Sequence, residues 1–504
     1  MNNEKITRVV LTLENSLCES AAKGGLGELE ADIFYGIKEN DNEMWLFFTP
    51  LYTKIIKQEN IDGELITKVD EFKVPEKFSL VDSFEIKLKD ETIKLEVYEH
   101  PLSSRNKKAY FLASKCFDHP IYEAGNVRNE IKTACCLSLG VAEYLRKHEI
   151  TPSVLHLNES ETFFLLLYLP RDENSVPSVY FHSHTAEPHG HKRFYIEDLK
   201  SSLTEEEIKK LEIAREGEVI NMGKYAANTS NKIVCVSQQH AEVTKNLYPF
   251  HKDKIIFITN GVHIRWIGEE WKKLFDIEIE GWREDAKLLE KVQRISDEKI
   301  VKTKEEQMKN LKEELERKIE KKEAFGNLSP GKLILSYAKR LTDYKRPLGV
   351  FPLLDLDINI VIAGPPIDYT GKIMIEEIRK RIKLGYPIVY VLNYNAEVAS
   401  QLLKGYAWIN IPYRGREASG TSFMKALING TIPITTADGS VPEFVRDEYN
   451  GFIVSDDLSN FKDKAKTALE IYNDKSKWAK IIKNSLSTYS VIIDRVIEDI
   501  RTLK

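Results

Sequence analysis

Short apolar runs rich in Val, Ile, Phe and Tyr alternate with amphipathic, charged stretches along the whole chain. The runs predict strands over Arg8–Leu13, Met44–Phe48, Ala109–Leu112, Ser153–Leu157, Ser178–His182, Lys232–Val236 and Ile255–Ile258. A second set follows at Leu333–Tyr337, Ile358–Ala363, Ile388–Leu392, Ala407–Ile411 and Thr431–Thr435. Several are apolar at every position, as expected of strands covered on both faces. Helix-like stretches between them predict βαβ units and mainly parallel sheets. The two sets are separated by an almost wholly charged stretch, about 282–325, in which Met308, Leu311, Leu315 and Ile319 keep a helical spacing. It reads as a solvated surface helix inserted in the second half, ended by Asn327-Leu328-Ser329-Pro330-Gly331. The fold class expected is α/β: two doubly wound, Rossmann-like domains facing a cleft, with the ligand at the strand ends.

Composition narrows the function. The chain has 504 residues, 42% of them hydrophobic, enough for two cores. A net charge of −5 argues against a nucleic-acid protein that binds through a basic surface. No run of about 18 apolar residues predicts a membrane helix. Met1-Asn2-Asn3-Glu4-Lys5 lacks the basic-then-apolar layout of a signal peptide. Five cysteines, Cys18, Cys116, Cys135, Cys136 and Cys235, include no C-x-x-C pair. They read as free thiols in a reducing cytoplasm rather than a disulfide or zinc scaffold.

Five motifs lie where the strands end. Lys23-Gly24-Gly25-Leu26-Gly27-Glu28 is a glycine-rich turn from strand to helix, where a backbone approaches an anion and a helix N-terminus offers free N–H groups. A plain tight turn explains that feature equally well. His182-Ser183-His184-Thr185-Ala186-Glu187-Pro188-His189-Gly190-His191 is rich in imidazole, a common metal ligand. With no H-E-x-x-H pattern it reads as a polar active-site loop, not a metal centre. Ile258-Thr259-Asn260-Gly261-Val262-His263 carries an Asn-Gly turn. Lys339, Arg340, Lys345 and Arg346 crowd a strand end, a placement that opposes a helix dipole unless an anion sits there. In Arg414-Gly415-Arg416-Glu417-Ala418-Ser419-Gly420-Thr421-Ser422-Phe423-Met424-Lys425, small residues precede an apolar helix and offer backbone donors to a phosphate. Lys425 falls in that helix, where an apolar setting lowers a lysine pKa and permits a Schiff base.

In this order the motifs resemble the α-glucan (glycogen, starch or maltodextrin) phosphorylase family, in its short form, over nearly the whole chain. Leu155-His156-Leu157-Asn158-Glu159 and His189-Gly190-His191-Lys192-Arg193-Phe194 add to the likeness. The resemblance implies the GT-B glycosyltransferase fold, pyridoxal 5′-phosphate on a lysine, and cleavage of α-1,4-glucan or maltooligosaccharide ends by inorganic phosphate to α-glucose 1-phosphate with retention. By position, Lys425 matches the cofactor lysine. Gly420, Thr421 and Lys339 match the cradle of its phosphate, and Tyr394 a neighbour. Arg340 and Lys345 match the pair holding substrate phosphate, with Tyr344 beside them and Gly24 and Gly25 aiding. His184, Asn260, Ser419 and Glu417 match groups around the reacting sugar, His184 through its backbone carbonyl. The expected domains are 1–265, 266–485 and a terminal helix within 486–504 that packs back on the first. A cytoplasmic enzyme without nucleic-acid or membrane partners is implied, and a homo-oligomer is compatible with it.

The departures define the alternatives. Phe423 stands where the family usually has Asn or Gly. Lys23 and Glu28 resemble the K-x-G-G-L-G-D loop of glycogen and starch synthases, which use a nucleotide-sugar donor. Gly439-Ser440-Val441-Pro442-Glu443 and Asn450-Gly451-Phe452-Ile453-Val454 also look synthase-like. The residue eight after Glu417 discriminates: synthases resemble E-x7-E, and here it is Lys425. The leading reading is a glucan phosphorylase. The second is a nucleotide-sugar-dependent glucan synthase or other glucosyltransferase. A third is a glucan-binding protein that has lost catalysis because Phe423 crowds the cofactor pocket.

Overall fold

Every strand that the apolar runs predict is present to within two residues. These are chains of β-branched and aromatic residues buried on both faces, as in Val9–Leu11, Trp45–Phe48 and Ile358–Ala363. The structure, a computed structural model, describes residues 6–39, 42–61, 64–170, 176–187 and 190–503; Met1–Lys5, Pro188 and His189, read above as parts of motifs, lie outside the described residues. The chain divides into two units: residues up to Ile56, Val69–Thr259 and those from Ile497 on, and then Lys57–Lys68 with Asn260–Val496.

The first unit is built on a nine-stranded sheet. Its order is Ile255–Phe257, Lys232–Cys235, Ser178–Ser183, Val154–Asn158, Thr7–Leu11, Met44–Pro50, Lys107–Ala113, Glu91–Glu99 and Ser79–Leu88. The pairings are parallel up to Lys107–Ala113 and antiparallel beyond it. The antiparallel edge hairpin is invisible to a search for apolar runs. Ile86 and Leu88, and Ile93, Leu95 and Val97, are buried while the residues between them are more exposed, a period-two pattern broken by charges. The final helix, Ile493–Arg501, ends in this unit. The fully buried Arg8 donates to the Leu503 carbonyl at 2.9 Å and to Glu43 at 2.8 Å.

The second unit has a seven-stranded sheet in the order Ala324–Gly326, Ile388–Val391, Ile358–Ala363, Leu333–Ala338, Ala407–Asn410, Ile432–Thr436 and Phe452–Val454. Only the Ala324–Gly326 edge pairs antiparallel. The charged insert forms the helix Asp297–Glu320, capped by Ser296, whose side chain accepts from the Lys299 amide. It corrects the expectation of a merely solvated helix. One face buries Ile300, Leu311 and Leu315, and Lys304 and Gln307 have no exposed surface at all. No helix among the described residues is long and apolar enough to cross a membrane.

Candidate active site

In the second unit the strands Leu333–Ala338 and Ala407–Asn410 deliver charged and polar groups at their C-terminal ends. Lys339, the residue after the first strand, donates to the Ile409 carbonyl at 3.0 Å and to Asn410 Oδ1 at 2.7 Å. The loop beyond it can turn here because of Gly364: at φ +130, a Cβ would lie 1.9 Å from the Lys339 carbonyl oxygen. Lys345 pairs directly with the Glu417 carboxylate and lies 4.9 Å from the centre of the Tyr344 ring. Tyr344 in turn accepts the Tyr413 amide at 2.8 Å.

Burial and mutual charge set the protonation of this group. Burial presses the Glu417 carboxyl upward, but Lys345, helped by Lys339 and Arg340, overrides it and holds it below the usual carboxylate range. Burial lowers Lys345, and Glu417 more than restores it. Lys339 is pushed well below the ordinary lysine value, first by burial and then by Lys345. Three basic side chains thus surround one carboxylate, an excess of donors matched to an anion.

The loop before the helix Ser422–Leu427 is held by the turn that follows the strand Ile432–Thr436. Asp438 accepts the Gly415 amide at 2.6 Å and the Glu417 amide at 2.9 Å. Gly439 has φ +58, and a Cβ there would come 2.8 Å from the Glu417 carbonyl oxygen, so only glycine fits. Ser419 shares a hydrogen bond with Ser440 at 2.7 Å, and Asn260 Nδ2 donates to the Ser419 carbonyl at 3.3 Å. Gly420 and Thr421 lead into the helix, Thr421 as its N-cap residue. Lys425 is 6% exposed, with its Nζ 3.4 Å from the centre of the Trp266 indole, a close cation–π contact. Phe423 is wholly buried and packs on Phe444. Two helical positions before Lys425, it lies on a different face of the helix. Tyr394 donates to the Ala338 carbonyl at 3.3 Å, beside Lys339.

In the first unit the glycine turn already receives a carboxyl group of the chain itself. Glu14 Oε2 accepts the Gly24 amide at 2.8 Å and the Gly27 amide at 3.2 Å, and Tyr122 donates to the other oxygen. Lys23 pairs with Glu123 at 2.8 Å. A Cβ on Gly25 would meet open space. The histidine-rich stretch disperses to separate partners. His182 lies 2.9 Å from His156, His191 2.9 Å from Tyr248, and His184 Nε2 2.7 Å from Asn158 Oδ1. Among the described residues no three His, Cys, Asp or Glu side chains are grouped to hold a metal ion.

His184 is half-buried, and desolvation, with His182 and His240, keeps its pKa well below the ordinary value, so the ring is neutral. Its amide donates to Glu159 Oε1 at 3.2 Å. Burial pushes the Glu159 carboxyl up to about 8. Glu30, a carboxyl on the buried face of the helix Gly25–Gly36, is raised by burial to about 8, with Asn158 opposing the shift.

The structure therefore brings Lys339, Arg340, Lys345 and Glu417 into one electrostatic group, and joins Asn260 to Ser419. Lys425 is drawn to Trp266, a residue that motif reading passes over. Asp438 is also missed, although Asp438-Gly439 is a turn dipeptide. So is Glu30, whose signal is an acid between Leu29 and Ala31 in an apolar helix face.

Comparison with known proteins bears on family and fold. Residues 191–356 match the carbohydrate phosphorylase family model, residues 10–255 the starch synthase catalytic domain, and residues 317–487 the group 1 glycosyl transferases. The maltodextrin phosphorylase of Thermococcus litoralis is 29% identical over 410 residues, covering 70% of this chain and 49% of that one. The glycogen phosphorylase of Aquifex aeolicus is 28% identical over 244 residues, 40% of this chain and 35% of that one. The chain thus spans about half, or less, of these relatives' length. The catalytic domain of starch synthase IV from Arabidopsis thaliana, solved with ADP and acarbose, superposes with a TM-score of 0.76 over 99% of both chains at 17% identity. That likeness is one of fold, and the fold is GT-B.

Proposed function

From a GT-B glycosyltransferase that resembles the α-glucan phosphorylases and carries synthase-like features, we propose an enzyme that cleaves α-1,4-glucan or maltooligosaccharide ends with inorganic phosphate, releasing α-glucose 1-phosphate with retention. The observation that carries this reading is Lys425: a nearly buried amine on an indole face, eight residues after Glu417, where the synthase pattern has a second carboxylate.

Arg340 and Lys345 hold the substrate phosphate, Arg340 as a two-pronged donor and Lys345 as a point charge. Glu417 aims Lys345 and shares it with the incoming phosphate. Neutral His184 adds no positive charge beside a developing oxocarbenium ion, and its carbonyl dipole is what it presents. Asn260 and Ser419, fixed to each other and to Ser440, serve the sugar hydroxyls. Such fixed donors act mainly by electrostatic preorganisation.

The residues fit pyridoxal 5′-phosphate. Lys425 offers a sequestered amine, and Lys339, Gly420 and Thr421 offer donors to its phosphate in a region with more cations than carboxylates. Phe423 does not argue against it, because its ring belongs to the core beside Phe444. That also removes the motive for a non-catalytic glucan binder. The chemistry the cofactor supplies when bound is a phosphate that relays a proton.

The starch-synthase match over residues 10–255 favours a second reading, transfer of glucose from a nucleotide sugar. One assay separates the two. Purified protein given pyridoxal 5′-phosphate, maltodextrin and phosphate releases glucose 1-phosphate under the first reading. If none is released while ADP- or UDP-glucose is consumed on the same acceptor, the second reading holds.

A further inference from the structure

We propose that Asn429 is a positioning residue for Lys425, and that the buried Lys304–Gln307 pair of the insert helix holds Asn429 in place. This rests on reading Lys425 as the reactive amine of the site.

Asn429 lies just past the helix Ser422–Leu427. Its Nδ2 donates to the Lys425 carbonyl at 2.8 Å and to the Trp266 carbonyl at 2.8 Å, while its Oδ1 accepts the Gly268 amide at 2.8 Å. One side chain therefore ties the backbone of Lys425 to the backbone of the residue whose ring faces the Lys425 amine. Rotating or losing that amide frees the helix end from the loop, and the amine from the indole.

The backbone carbonyl of Asn429 is gripped in turn. Trp271 Nε1 donates to it at 2.9 Å and Lys304 Nζ at 3.1 Å. Lys304 also donates to Thr431 Oγ1 at 2.7 Å and to Gln307 Oε1 at 3.3 Å, which Trp271 reaches at 2.9 Å. Lys304 Nζ thus meets three oxygens, and burial pushes its pKa well below the ordinary lysine value. Burying such a group is unfavourable, and an apolar side chain would seat the helix as well. What the polar network adds is geometry: it fixes Asn429 in one place. The helix that carries Lys304 and Gln307 comes from the charged insert, so the insert supports the site from behind.

The test reads Lys425 itself. Parent, Asn429→Asp and Lys304→Met proteins are pulse-labelled with trace acetic anhydride across a pH series. Lys425 and exposed Lys480 are then quantified by peptide mass spectrometry, with thermal melting recorded for each protein. The expected result is a change of about 10- to 100-fold in Lys425 labelling with a displaced pH midpoint, the size of effect that an ångström-scale misplacement produces. Lys480 labelling stays constant. Borohydride-trapped pyridoxyl on Lys425 falls in the same variants. Unchanged Lys425 labelling in variants that melt like the parent overturns the proposal, and if Asn429→Asp does not fold, Lys304→Met decides it. A parent that traps no pyridoxyl refutes the cofactor reading of Lys425, while the labelling rates still judge the positioning role.

Discussion

Glu30 should make the fold lose stability as pH rises, and Glu30→Gln should abolish that loss. Burial raises its carboxyl from 4.5 to about 8. The folded chain then keeps the proton until about pH 8, whereas the unfolded chain releases it near 4.5. Stability from this group is therefore full below 4.5 and drains away as pH climbs toward 8, the direction required when the folded-state value is the raised one. The slope is about 1.4 kcal/mol per pH unit, and from 4.5 to pH 7 it accumulates to about 3 kcal/mol. Glutamine does not titrate and keeps the size and polarity of the side chain. Urea denaturation of both proteins at pH 5, 6, 7 and 8 checks the prediction, with Glu30→Gln the more stable by about 3 kcal/mol at pH 7 and the gap narrowing toward pH 5. Parallel stability curves would show that Glu30 is ionised in the folded state.

Three further substitutions probe the second unit. Arg340→Ala should raise the phosphate concentration needed for half-maximal glucose 1-phosphate release and cost about 2–4 kcal/mol of barrier; an unchanged phosphate dependence would remove Arg340 from the anion site. Gly439→Ala should destabilise by at least about 1–2 kcal/mol from the left-handed backbone alone and displace Glu417, lowering turnover more than glucan affinity; a fully active, equally stable variant would contradict the contact. Phe423→Ala should cost about 3–5 kcal/mol of unfolding free energy as a core truncation, measured by urea titration; a gain in pyridoxal phosphate affinity without loss of stability would place the ring in the cofactor pocket instead.

The central strands were legible because burial on both faces writes itself as unbroken apolar runs, as in Ile358–Ala363. The hairpin of Ser79–Leu88 and Glu91–Glu99 was not, since a half-buried edge spreads its signal over alternate residues among charges. The insert misled for a related reason. Charge marks exposure on average, but Lys304 is charged by type and buried by position, because Asn429 and Thr431, distant in the chain, and Gln307, one turn on, supply acceptors. The strand-end motifs named side chains that the structure brings together, as with Lys345 and Glu417. What they left out are the groups that hold those side chains: Asp438 behind Glu417, Trp266 beside Lys425 and Asn158 on His184. Such partners come from a turn, a short helix and a strand end whose own local patterns are ordinary.

Borohydride reduction of the purified protein after incubation with pyridoxal 5′-phosphate, followed by peptide mass spectrometry, tests the central claim most directly. A pyridoxyl group on Lys425, absent from the Lys425→Ala variant, is the predicted result. An unmodified Lys425, with glucose transfer from ADP- or UDP-glucose intact, would contradict it.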